Sequence, residues 1–263
     1  MVHHMTKTPR QTIKRVYGKI TRTLAIKICR RDFAITTPYP IISFCFDDAP
    51  KSAFVNGGKI LNENGIKATY YLSLGLLGTD TEVGTIASLT ELESAVDLGN
   101  ELGCHTHDHY DAWSVSTSDY IKSVFRNREK LKRIMPDYRF TSFAYPKSGA
   151  TMLVKYKLQQ HFLCCRAGGQ TANIGIADQN HLKSFFLDQR QCTSFASIKN
   201  IVDINSDNSG WLIFTTHDIS NNPTPFGCNI ELFRKTVEYA LSSGALILNV
   251  SEAFKMITRS YSL

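Results

Sequence analysis

Between residues 40 and 257 of this 263-residue chain, short apolar runs alternate with stretches of helical periodicity, about seven or eight times over. The first run, 41–46, lies between Pro38 and Pro40 on one side and Asp47 on the other, as a buried strand does. Further strands are expected over 68–72, 101–104, 140–145, 161–165, 183–187, 211–216 and 245–250. Helices are expected over 52–64, 89–98, 118–135, 151–160, 197–208, 230–243 and 251–257. Asn64-Gly65 closes the first helix, and Thr90 with Glu93 offers the second a capping box. Strands that alternate with helices lie parallel, with each helix as a crossover. The expected fold is therefore α/β, a closed or nearly closed (β/α) barrel, with an open doubly wound sheet as the alternative.

Charge divides the chain in two. Residues 1–35 hold nine Lys or Arg against Asp32 alone, a local charge of +8 in a chain of net +7, so the remainder carries −1. The overall basicity therefore does not describe a nucleic-acid-binding face on the body of the protein, and no nucleic-acid partner is expected. Ile13, Val16, Tyr17, Ile20, Leu24 and Ile28 recur at three- and four-residue spacings among these cations. That predicts a basic amphipathic helix over 10–31, weakened by Gly18, in an extension spanning 1–38 ahead of a domain at 39–263. Such a helix suits peripheral contact with an anionic membrane, or packing beneath the barrel, or a solvated arm. No run is apolar and long enough to span a bilayer, and the N-terminus lacks the uninterrupted apolar stretch of a secretory signal. The seven cysteines show no disulfide spacing or CxxC pair, and Cys45, Cys104, Cys164 and Cys165 sit in apolar runs as small core residues. A reducing, cytoplasmic setting is expected.

The titratable residues fall where the strands end. Asp47-Asp48 follows the first strand, His105-Thr-His-Asp-His109 the third, Tyr145-Pro146-Lys147 the fourth, and His217-Asp218 the strand over 211–216. In a barrel the loops after strand C-termini share one rim, so these groups converge. Oxygen and nitrogen donors together with spare acids and bases make the constellation of a metal-dependent hydrolase. Each piece alone has a plainer reading. Asp-Asp also serves as a strand-end turn that caps a helix, and HxxxH as two surface histidines. Their joint occurrence is what points to chemistry. His107 is expected to face away from the set.

These residues resemble a known family. Phe44-Cys-Phe-Asp47-Asp48-Ala49-Pro50 looks like the TFDDGP motif of polysaccharide deacetylases, the NodB-homology domain of carbohydrate esterase family four. His105-Thr-His-Asp-His109 is similar to that family's H-S/T-x-x-H motif, and Phe143-Ala-Tyr145-Pro146-Lys147-Ser-Gly149 to its third motif. The stretch 211–218, ending in His217, is similar to the late strand that carries the family's catalytic histidine. The resemblance covers roughly residues 40–257 and implies a distorted seven-stranded barrel. It implies a hydrolase that removes an N-acyl group, N-acetyl in the usual case, from an amino sugar of a polysaccharide, glycolipid or sugar precursor. It further implies that Asp48, His105 and His109 hold one divalent metal, Zn2+ in the usual case, with Asp47 as general base and His217 as general acid. The backbone N–H of Lys147 is implied as an oxyanion donor.

The chain also departs from the pattern. Ala49 stands for a glycine, and Ala144 for the third motif's leading arginine, which orients the catalytic aspartate. Arg166, placed beyond the next strand, is the candidate replacement. Ser148 is inserted before Gly149, and Asp188 with Arg190 are the candidates for a fourth motif. Two alternatives keep the fold: an inactive carbohydrate-binding relative, and a hydrolase of another amide, N-formyl or cyclic.

Overall fold

The computed structural model describes residues 21–191 and 193–259. Its centre is a curled parallel sheet. The strands are β1 (Ile41–Asp47), β2 (Thr69–Leu72), β3 (Glu101–Cys104), β4 (Ser142–Ala144), β5 (Cys164–Arg166), β6 (Phe185–Phe186), β7 (Trp211–Thr216) and β8 (Leu246–Ile247). Seven run in the order β6-β7-β1-β2-β3-β4-β5, and β8 pairs with the start of β1. Every pairing is parallel, as crossover helices require. The seam between β5 and β6 is held by a bridge from Arg166 to Leu182, so the sheet curls into a distorted barrel.

The crossover helices are α1 (Lys59–Glu63), α2 (Leu89–Asp97), α3 (Thr117–Ile134), α4 (Met152–Leu158), α5 (Phe195–Asp207), α6 (Ile230–Ser242) and α7 (Val250–Arg259). A wider helical turn, Ala53–Gly58, leads into α1. One apolar cluster joins their inner faces to the outside of the sheet: Phe44, Phe46, Tyr70 and Phe214 meet Leu92, Val124 and Phe233. A second cluster, around Ile41, Cys45, Trp211 and Phe254, takes the opposite side chains of β1 and β7. Side chains alternate across a strand, so β1 feeds both clusters and must be buried along its whole length, as it is.

Several expected boundaries move. The capping box of α2 is Ser88 with Glu91, two residues before Thr90 and Glu93, because the backbone is still extended at Ser88 and turns helical after it. Strand 140–145 contracts to β4 and 245–250 to β8, with Val250 already in α7. The strand expected over 161–165 starts later and ends at Arg166, so that arginine lies inside β5 rather than beyond it. Cys45, Cys104, Cys164 and Cys165 are free and buried, as expected.

The basic segment is described only from residue 21. Residues 21–27 are helical, and residues 10–20 of the expected helix lie outside the described residues. The described part is fastened to the barrel. Fully buried Lys155 of α4 donates to the carbonyls of Ala25 (3.0 Å) and Ile28 (3.1 Å) and pairs with Asp178 at 2.9 Å. A short antiparallel ribbon, Asp32–Ala34 on Ile176–Asp178, continues the attachment. Leu24, Ile26 and Ile28 stay more than two-fifths exposed. No helix among the described residues is long and apolar enough to cross a membrane.

Candidate metal centre

Strand register brings the titratable residues together. Asp47 pairs with Tyr71, Phe46 with Thr216, Leu72 with Cys104, Cys104 with Phe143, and Ala144 with Arg166. The strands therefore finish level, and Asp48, His105, Lys147 and His217 all follow on the same rim. A cavity of about 70 Å3 there is lined by Asp47, Asp48, His105, His109, Lys147 and His217, with Glu82, Phe186, Arg190 and Phe226.

The backbone at this rim is unusual. Asp48 (φ 57°) and Ala49 (φ 51°) after β1, Thr106 (φ 63°) and His109 (φ 51°) after β3, and Lys147 (φ 57°) and Ser148 (φ 61°) after β4 are all left-handed without being glycine. They are six of the nine such residues among those described. Each such conformation costs of order 1 kcal/mol or more, and its recurrence at one rim marks a functional site.

Asp48, His105 and His109 form one donor set, with ligand atoms all within 4.8 Å of one another. Asp48 Oδ1 is 3.3 Å from His109 Nε2 and 3.8 Å from His105 Nε2. His105 Nδ1 donates to the Ala144 carbonyl at 2.8 Å, so its Nε2 presents a lone pair inward. Burial pushes His105 down to about 3 and His109 down to about 4, so both rings are neutral at pH 7 and neither is an ion-pair partner for Asp48. Asp48 Oδ1 is buried and has no hydrogen-bond partner, while burial pushes its carboxyl up to about 6. A buried carboxylate oxygen without a partner beside two neutral imidazoles suits a cation, since a buried acceptor left unpaired is costly. The residues present therefore fit a divalent metal. His107 turns away to Asp108 at 3.0 Å, as expected.

Asp47 sits beside this set. Burial works against its ionisation, but the Arg166 guanidinium, with His105 and His217 nearby, outweighs burial and holds its carboxyl below the usual range. Arg166 Nη2 donates directly to Asp47 Oδ1, Nη1 donates to Ser184 Oγ at 3.2 Å, and the guanidinium lies 5.0 Å from the Tyr71 ring centre. An arginine on β5 thus reaches the aspartate on β1 in place of one at position 144. His217 Nδ1 donates to the Phe226 carbonyl at 3.1 Å, which fixes the orientation of the ring. Phe226 is in turn covered by Arg190, 4.2 Å from its ring centre and paired with Asp188 at 2.5 Å. Asp188 and Arg190 therefore brace the histidine loop. Asp218 is occupied locally, accepting from the Thr224 hydroxyl at 2.5 Å and its N–H at 2.9 Å.

Residues 34–163 match the family model described as polysaccharide deacetylase. This stretch belongs to the polysaccharide deacetylase family. The match supports a hydrolase of the deacetylase type, the enzyme class expected from the sequence. No curated protein sequence gives a match. Solved structures share the deacetylase fold. One is the family-four esterase domain of a multidomain xylanase from the hindgut metagenome of Trinervitermes trinervoides. It has 17% identity and a TM-score of 0.60, over 83% of this chain and 91% of that one. Another is the chitin deacetylase of Colletotrichum lindemuthianum, with 18% identity and a TM-score of 0.60 over 83% and 89%. A third is a family-four pseudoenzyme from Bacillus anthracis, with 11% identity and a TM-score of 0.60 over 83% and 66%. A pseudoenzyme matches as well as the others, so the fold alone does not decide activity, and the side chains at the rim carry that argument.

Four residues at the site carried no signal in the sequence. Phe226 acts through its carbonyl, which every residue has. Ser184, Tyr71 and Glu82 are distant in sequence from the motifs they adjoin.

Proposed function

We propose that this deacetylase-family chain removes an N-acyl group, N-acetyl in the first instance, from an amino sugar, using one divalent metal held by Asp48, His105 and His109. The observation that supports this most is the buried, unpartnered Asp48 Oδ1 facing two neutral imidazoles. A divalent cation held there, zinc by donor type, would supply Lewis acidity toward water and an acyl oxygen.

The chain's own groups supply the rest. Asp47, kept ionised by Arg166, takes the proton of the attacking water. Arg166 also fixes the direction of that carboxylate. As the acyl carbon becomes tetrahedral, the Lys147 backbone N–H, at a left-handed turn on the rim, is the proposed donor to its oxygen. His217, oriented by Phe226, hands a proton to the departing nitrogen, without which the amide C–N bond does not break. The buried free cysteines among the described residues suit a reducing compartment. Exposed Leu24, Ile26 and Ile28 beside Arg22 and Lys27 support peripheral contact with an anionic membrane.

Asp47→Asn and His217→Ala are the direct test. Each is expected to retain metal and lose about 10²–10⁴-fold in acetate release from N-acetylated amino sugars. Near wild-type turnover in both variants contradicts the assignment.

A further inference from the structure

A second, larger cleft of about 400 Å3 adjoins the metal centre, and Lys147 and Ser148 belong to the walls of both. Gly149, Gly168 and Gly169 are among its lining residues. A Cβ on Gly149 would come 3.3 Å from Trp113 Nε1, and one on Gly168 would come 3.0 Å from Ser148 Cβ. Both glycines therefore let Trp113 and Ser148 pack closely where they line the cleft. Trp113 forms one wall, a flat surface of the kind on which a sugar ring packs.

The charges of this cleft are unbalanced. Arg22 and Lys147 line it, against Asp111 alone. Asp111 is committed to its own loop, accepting from the Trp113 N–H at 2.9 Å and the Ser114 hydroxyl at 3.0 Å. The contact of Lys147 with Glu82, at 3.8 Å between two half-exposed side chains, is loose and screened. Among the described residues no carboxylate lies within ion-pair distance of Arg22, whose guanidinium stands 5.5 Å from the Trp113 ring centre. Arg22 is not on a free arm, because Lys155 and Asp178 clamp the segment that carries it. It also lies outside residues 34–163, so the family match does not account for it.

We propose that this cleft is a phosphate-recognising subsite: the N-acyl amino sugar carries a phosphate group, bound between Arg22 and Lys147 while its ring packs on Trp113. This rests on the deacetylase reading above and names the substrate class for it. An arginine fork and a lysine point charge in one cleft suit a compact phosphate anion better than a neutral glycan. The phosphate has two sources, a free sugar phosphate or a sugar on a lipid phosphate.

Calorimetric titration of the full chain distinguishes these cases. The probes are N-acetylglucosamine, N-acetylglucosamine 1-phosphate, the same sugar phosphate esterified to a short isoprenoid, and inorganic phosphate. Both phosphate-bearing sugars are expected to bind at least about tenfold more tightly than the neutral sugar, less so at high salt. The tighter of the two identifies the source. Arg22→Gln and Lys147→Gln are each expected to remove most of that preference, and Arg22→Gln does so with neutral-sugar binding and melting temperature unchanged. Equal binding of neutral and phosphorylated sugar overturns the proposal, as does an Arg22→Gln variant that weakens both by one factor. Absence of acetate release from either sugar by the metal-loaded chain, with the phosphate preference intact, counts against the deacetylase reading and leaves the subsite standing.

Discussion

Arg166 is 1% exposed and fully charged, a combination tolerated only because Asp47 and Ser184 surround it. Its effect on Asp47 gives a signed prediction. Asp47 must be ionised to accept a proton, and Arg166 keeps its pKa low. Arg166→Met removes the balancing charge, so burial raises the Asp47 pKa and the acidic limb of kcat/KM moves to higher pH. The variant is also expected to lose about 3–5 kcal/mol of stability, as breaking a buried pair does. A pH profile with an unshifted acidic limb contradicts the role. At this scale the sequence was partly legible. Asp47, Asp48, His105, His109 and His217 stood out because each follows a strand. Arg166 was no more than a candidate, because pairing across a barrel from β5 to β1 leaves no mark in local sequence. The left-handed turns were also hidden: Ala49, where the motif has glycine, sits at φ 51°.

At the scale of elements, patterning located nearly every strand and helix, and failed at the ends. The start of α2 shows why. Ser88-x-x-Glu91 and Thr90-x-x-Glu93 both satisfy the capping-box spacing, and sequence cannot choose between them. The bridge from Pro50 to Ile86 holds the preceding chain extended, so the helix begins at the earlier site. Ser88→Ala is therefore expected to cost about 1 kcal/mol in urea unfolding, and Thr90→Ala clearly less. The reverse order contradicts this boundary. Short strands shrank for a related reason: the ends of β4 and β8 lack ladder partners beyond three and two residues, whatever their β-propensity.

Over the whole molecule, the barrel collects groups whose burial ties stability to pH. In the metal-free protein His105, His109 and His181 are all held below 6.5 by burial, to about 3, 4 and 4. The unfolded chain then binds more protons, so their contribution is complete above pH 6.5 and is lost as pH falls toward 4. Asp48, raised to about 6, acts in the opposite direction, but one carboxyl is outweighed by three imidazoles. The melting temperature of the metal-free chain is expected to fall between pH 7 and 4.5, and a rise contradicts the burial of these rings. The central claim, that one divalent ion sits between Asp48, His105 and His109, is tested most directly by metal content per chain after dialysis. The wild type and Asp47→Asn are predicted to hold about one ion each, and His105→Ala close to none. Full occupancy in His105→Ala contradicts the metal centre described here.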